Sequence, residues 1–367
     1  MFGPLRSARP AIALYYGLQA IAFAVLIVMG LRVHYPPDFF IGHWDGAWFL
    51  EIAEHGYRIP VLLDQHGMPV QNSMVFFPLY PALVALPVAL GVPGVWAGFL
   101  VTLLVGGLAA AGLFTLGSEL DGPRTGTLLA ALWAIAPGAA ALHMVYSESL
   151  LCALSAWALV AVVRRRWTAA GWLTVLAGLT RAVALALVVA VMVAALIAIV
   201  RREDGRRPWL AILLAPLGTA GYLGYVALRT GRPDGWLWLQ SAWQMRFDWG
   251  RFTWERLGRG LVGDSPWLTL TSLIVLAAVV QLVWLYTTKT HPALYVYGTL
   301  VVFIALTSSN YFQSRARFLL PAFTILLPAA MLAAKLPKRA LAVLLPVGAL
   351  ASGWYGMFLT TVATVNP

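Results

Sequence analysis

The sequence predicts an all-α integral membrane protein with about eleven transmembrane helices, and three observations carry that prediction. Hydrophobic residues make up 61% of the 367 and charged residues only 11%, far from the balance of a soluble domain. Apolar runs recur along the whole length, and no polar block between them is long enough to bury a core of its own. The basic residues fall in short clusters between those runs, as membrane topology requires. Residues 1–367 therefore read as a single polytopic membrane domain.

The first run, 11–32, follows Arg6 and Arg9; it is too long for a signal-peptide core and lacks a small-residue cleavage site, so it reads as an uncleaved anchor. Further spans are expected at 94–117, 126–145, 146–163, 167–181, 182–200, 208–228, 265–287, 291–308, 318–335 and 340–362. The run 76–91 is short, carries Pro78, Pro81 and Pro87, and would reverse the parity of every later loop if it crossed. It is expected to be re-entrant or to lie in the interface.

With that choice, 14 of the 25 basic residues collect on one side with four of the 14 acidic ones. That side carries an excess of ten positive charges and the other an excess of one, which makes the first side cytoplasmic. Two long loops then face outward, 33–93 and the Trp/Arg-rich 229–264, together with the junction 146–149 and the loop 309–317. The expected location is a bacterial plasma membrane with the site on the extracytoplasmic face, or the endoplasmic reticulum were the chain eukaryotic. The net charge of +11 is thus a matter of topology, and no nucleic-acid partner is expected. Cys152, the single cysteine, sits in an apolar run, so neither an internal disulfide nor a thiolate metal cluster is available.

The densest charge lies at 43–57, HWDGAWFLEIAEHGY. Wound as a helix at about 100° per residue, Asp45 falls on one face with Trp48, Phe49 and Ile52, while Glu54 points away. A carboxylate in an apolar stripe needs a partner or a wet cavity, and an apolar setting suits a general base; the plain alternative is a helix-capping Asp. Glu51, Glu54 and His55 have the spacing of a solvated face. Phe76, Phe77 and Tyr80 belong to a stiff aromatic element suited to the membrane interface beside a lipid. In PGAAALHMVYSES (137–149) one helix breaks and another begins, so Ser147 and Glu148 are either helix-start residues or a second functional acid.

Arg181 interrupts a long apolar run that must turn back on itself, and Arg315 and Arg317 open another span. Each either snorkels to water or grips an anion, and phosphate is the anion expected beside a lipid substrate. These three are the candidate donor-phosphate residues. Trp236, Trp238, Trp243, Trp249 and Trp254 suit interfacial helices that roof a cavity. No P-loop, dinucleotide fingerprint or metal-ligand spacing occurs, so neither cofactor nor metal is expected.

Taken together, WDGAWFLEIAEHGY (44–57), FFPLYP (76–81), the 137–149 segment, Arg181 and RFLLPAF (317–323) resemble the PIG-V family of mannosyltransferases, in order over most of the chain. The resemblance implies a GT-C glycosyltransferase fold with its active site in the first outer loop. It also implies a polyprenyl-phosphate sugar donor, mannose as the sugar, a glycolipid or glycan acceptor, Asp45 as the catalytic carboxylate and Glu148 as the second acidic position. Trp44, Trp48, Tyr57, Phe76, Phe77, Tyr80, His143 and Tyr146 are the candidate substrate- and lipid-lining residues. The expected chemistry is inverting transfer by a monomer in contact with membrane lipid. The rival from another class is a sugar-lipid transporter or flippase, against which stands the absence of matching Gly/Pro-broken helices in two halves.

Overall fold

The computed structural model describes residues 6–34 and 36–363. Among them every regular element is helical, with two isolated bridges, Leu63 to Pro69 and Phe247 to Ser308. The helices are α1 (Arg9–Arg32), α2 (Pro37–Gly42), α3 (Asp45–His55), α4 (Leu79–Ala89), α5 (Gly94–Asp121), α6 (Pro123–Ala134) and α7 (Glu148–Val163). They continue as α8 (Trp167–Gly178), α9 (Leu185–Val200), α10 (Arg207–Leu214), α11 (Leu217–Thr230), α12 (Gly235–Gln240) and α13 (Arg251–Leu261). The last are α14 (Pro266–Leu285), α15 (Pro292–Thr307), α16 (Arg315–Phe318), α17 (Leu327–Ala333) and α18 (Lys338–Met357).

Six stretches among the described residues are long and apolar enough to cross a membrane, seven if the pair 312–318 and 320–333, bent by 61°, counts as one. Shorter apolar helices, α4, α7 and α15, lie between them. The expected span 126–145 is helical only to Ala134, because the chain turns at Pro137 and Gly138 and runs through a 3-10 turn, Ala139–His143, before α7. At 1.5 Å per residue, the 11 residues of α4 reach about 16 Å, well short of a bilayer core of about 30 Å. The Leu79 N–H at its start donates to the Leu179 carbonyl at 2.9 Å, which ties it to the end of α8.

Lipid tails are as apolar as leucine, so packing and not water exclusion must hold these helices together, and small residues let their backbones meet. α5 lies against α6 and α7 along an Ala/Gly-rich seam, where a methyl added to Gly117 would stand 2.7 Å from the Gly126 Cα. Tyr15 of α1 stacks on the fully buried Trp133 of α6 at 5.6 Å.

Two ends of this bundle are polar. At one, Arg164 donates to Glu119 at 3.0 Å, Arg165 pairs with Glu203 at 2.7 Å, Trp167 donates to Asp204 at 2.8 Å, and Arg124 reaches the Leu336 carbonyl. These loops are the ones the charge count groups on one side. Asp45, Glu148, Arg181 and Arg317 meet at the other end.

Candidate active site

Asp45 opens α3 as its first helical residue, and no side chain caps that helix. The preceding Trp44 has φ 53°, a left-handed value that a bulky residue adopts only under constraint, at about 1–3 kcal/mol. Phe49 and Ile52 are buried on the inner face while Glu54 and His55 are exposed, as the periodicity predicts. Glu51 is spent on Arg58, whose Nη2 donates to it at 2.7 Å. Gly56, at φ 79°, ends the helix.

Asp45 does not stand alone on its apolar face. Arg317 Nη1 donates to its Oδ2 at 2.8 Å, and Oδ1 has no hydrogen bond among the described residues. Arg317 Nε lies 3.6 Å from Glu148 Oε1, and Arg181 Nη1 lies 2.8 Å from that same oxygen. Two acids and two arginines thus form one chain of charge, Asp45–Arg317–Glu148–Arg181. Glu148 (2% exposed) and Arg317 (8%) are deeply buried, whereas Asp45 (26%) and Arg181 (23%) open toward solvent. The Arg317 guanidinium also lies 4.8 Å over the Tyr146 ring and 5.1 Å over Phe318. Ser147 occupies the cap position of α7 without capping it; its hydroxyl accepts from Arg181 at 3.4 Å.

All four charged residues line a cavity of about 490 Å³. Trp44, Trp48, Phe76, Phe77, Tyr146, Trp236 and Trp243 line it too. Trp243 stands edge-on to Trp48 at 5.7 Å, and the Trp236 indole N–H donates to the Val75 carbonyl at 3.2 Å. Of the 229–264 loop, only residues between 236 and 247, from α12 through the 3-10 turn, line the cavity; Trp238, Trp249, Trp254 and the whole of α13 are absent from its wall. Tyr311, not anticipated, lines the wall with a left-handed backbone at φ 48°. Burial first, and then the Asp45 charge, raise its phenol above the ordinary value.

Four expected site residues lie elsewhere. Arg315 is fully buried and donates to the Ser308 hydroxyl at 3.0 Å, the Ser308 carbonyl and the Thr253 hydroxyl at 3.3 Å, so it ties α16 to α13 and is absent from the cavity wall. In a four-residue helix, Arg315 and Arg317 point to different surroundings, a divergence invisible in the spacing alone. His143 is buried against α1, with Nε2 3.0 Å from the Gln19 carbonyl and its ring stacked on Phe23. Tyr57 donates to the Phe76 carbonyl at 2.9 Å and supports the aromatic element from behind. Tyr80, also buried, stands 2.7 Å from the Thr102 hydroxyl, which donates to the Met144 carbonyl at 2.9 Å. It therefore braces the 144–146 segment from outside the cavity. These three are apolar or aromatic neighbours of site residues in sequence, and their direction is set by packing partners far along the chain.

Among the described residues no three His, Cys, Asp or Glu side chains come together as a metal-holding group. No protein-family model matches the chain, and no curated protein does. Solved structures do. ArnT from Cupriavidus metallidurans, captured with undecaprenyl phosphate, aligns with a TM-score of 0.57 at 18% identity over 95% of this chain and 65% of that one. The same protein in its apo state gives 0.54 at 17% identity over the same shares. This chain thus spans just under two thirds of the length of the structures it matches, and similarity at this identity concerns the fold. All-helical architecture, several membrane-crossing helices and that alignment make the chain an integral membrane protein with the GT-C fold.

Proposed function

We propose that the protein is a glycosyltransferase that moves a hexose from a polyprenyl-phosphate donor to a hydroxyl of a glycolipid or glycan acceptor, inverting the anomeric centre, with Asp45 as general base. The observation that carries this reading is the Asp45 carboxylate in the wall of a 490 Å³ cavity, with Oδ2 fixed by Arg317 and Oδ1 unclaimed by protein among the described residues. Support comes from the aromatic lining, which suits a sugar and an isoprenoid, and from the undecaprenyl phosphate held by a protein of the same fold. Mannose, like membership of the PIG-V family, rests on the motif resemblance. An extracytoplasmic site is part of the same proposal, and the excess of Lys and Arg in the loops assigned to the other side supports it.

In this reaction the acceptor oxygen attacks the anomeric carbon as the bond from that carbon to the phosphate oxygen breaks. The acceptor proton passes to Asp45, and polyprenyl phosphate leaves with the bonding pair. Arg317 holds the carboxylate and cannot itself donate a proton at neutral pH. Phosphate is a good leaving group, so positioning and charge neutralisation matter more than acid catalysis, and the guanidiniums of the cavity wall are the groups that can supply positive charge beside it. Glu148 keeps both arginines in place.

The test is transfer from labelled polyprenyl-phosphate mannose to a lipid extract by the purified protein. Losing a general base lowers turnover by about 10²–10⁴-fold, so Asp45→Asn should do so without loss of folded protein. An Asn variant that folds and transfers at the wild-type rate rules Asp45 out. Movement of lipid across the bilayer with no new glycosidic bond rules out the transferase itself.

A further inference from the structure

Three arginines line the cavity, and they are not equivalent. Asp45 and Glu148 are the carboxylates in its wall; Arg181, Arg246 and Arg317 are the cations. Arg317 is taken by Asp45 and Arg181 by Glu148, so those four sum to zero. Arg246 has no carboxylate at ion-pair distance among the described residues. Its neighbour Asp248 is committed elsewhere, since the two carboxylate oxygens accept from the Gly250 and Phe252 N–H groups at 2.9 Å each. Among the residues that line the cavity, Asp248 not being one of them, the charges leave one excess positive, and Arg246 is its source.

The Arg246 backbone is fixed while its side chain is exposed. Its N–H donates to the Ser309 hydroxyl at 2.8 Å, its carbonyl accepts from the Ser309 N–H at 2.7 Å, and the Asp248 N–H donates to the Thr307 carbonyl at 3.0 Å. This short antiparallel patch holds the residue at the C-terminal end of α15. Around it the wall turns apolar, with Met245, Phe247, Ile304 and Ala305. An unpaired guanidinium bordered by apolar surface matches a ligand with one negative charge and a hydrocarbon chain. A sugar-phosphate polyprenyl diester carries that single charge, and a guanidinium binds its oxygens in a planar fork.

We propose that Arg246 seats the phosphate of the polyprenyl-phosphate donor, leaving Arg317 and Arg181 to order the two carboxylates. The inference rests on the donor class of the proposed function and is tested separately from it. Wild type, Arg246→Gln and Arg246→Lys, each in nanodiscs of zwitterionic lipid, are titrated with undecaprenyl phosphate and with undecaprenol, and the phosphate arm is repeated against inorganic phosphate. Hydrogen bonds to charged groups contribute about 1.5–3 kcal/mol, so wild type should prefer the phosphate over the alcohol by about tenfold or more. Arg246→Gln should lose that preference and Arg246→Lys should recover most of it. In transfer assays Arg246→Gln should raise the donor KM by about tenfold with kcat within about twofold, a split that a merely structural residue would not give.

A Gln variant that keeps the full preference overturns the role of Arg246 and leaves the donor class standing. A wild type that does not distinguish phosphate from alcohol overturns the donor class itself. Displacement of the lipid by equimolar inorganic phosphate makes the seat one for free phosphate and overturns the assignment to a lipid. Should Arg246→Gln fail to fold, Arg246→Met takes its place: a Met variant that folds and keeps the full preference overturns the role of Arg246, and one that loses it while Arg246→Lys keeps most of it bears the role out.

Discussion

Arg317 Nη1 donates to Asp45 Oδ2 at 2.8 Å across 272 residues of sequence, while Nε of the same guanidinium stands 3.6 Å from Glu148. One side chain thus joins the first loop to the start of α7, and its geometry is that of a fork with two separate prongs. Replacing it by Lys keeps the charge and removes the second prong. Arg317→Lys should lower kcat by about tenfold and Arg317→Gln by about 100-fold, the equivalent of one and two charge-assisted contacts. Single-turnover rates at saturating donor decide this, and a Lys variant as slow as Gln would show that position and not charge is what counts.

Glu148 stands almost wholly buried between two guanidiniums. Removing one partner from such a cluster leaves like charges facing each other out of water, at roughly 3–5 kcal/mol. Glu148→Ala should lower the thermal midpoint in detergent by many degrees. Adding Arg181→Gln should restore part of that loss, because the second change removes one of the stranded charges. If the double variant is no more stable than Glu148→Ala, the carboxylate does not act through Arg181.

Gly138 stands where the chain turns toward the site, and a Cβ built there would meet the Ala316 carbonyl carbon at 2.5 Å and the Arg317 nitrogen at 2.6 Å. Backbone cannot yield as a flexible side-chain end can. Gly138→Ala should therefore displace Arg317 and reduce transfer by about tenfold or more without touching any group in the cavity. Normal turnover in this variant would mean that α16 shifts freely.

Arg315 makes its hydrogen bonds to Ser308 and Thr253 inside the protein. Arg315→Met should destabilise by about 1–3 kcal/mol by stranding those acceptors. Turnover per folded molecule should stay within about threefold of wild type, far above Arg317→Gln. Stability from thermal unfolding and active fraction from donor titration separate the two effects; an intact fold with a loss as large as that of Arg317→Gln would return Arg315 to the chemistry.

Each of the two carboxylates of the site is paired with an arginine. EDTA treatment should leave transfer unchanged, because neutralising the leaving phosphate falls to guanidiniums. Loss of activity on chelation, restored by a divalent ion, would overturn this.

Much of α3 was legible in the sequence because helical periodicity is a local property. The run from Asp45 to His55, its buried Phe49 and Ile52 and its exposed Glu54 all follow from spacing at 100° per residue. Proline content likewise marked 76–91 as unlike its neighbours, and α4 is short. What spacing could not sort was Arg315 from Arg317, or Tyr146 from His143. Each pair lies within a few residues in sequence, and only the packing of α1, α13 and α15 against them turns one inward to the cavity and the other away.

Hydropathy and charge by themselves determined that this chain lies in a membrane and that Asp45 needs a partner. Those properties depend on composition along the chain, which bilayer and helix translate directly into position. The identity of the partner, the chain of charge through Glu148 to Arg181, and the isolation of Arg246 were decided only by tertiary structure. Ion pairing is a matter of a few ångströms between residues hundreds of positions apart, and such distances exist only once the helices have packed.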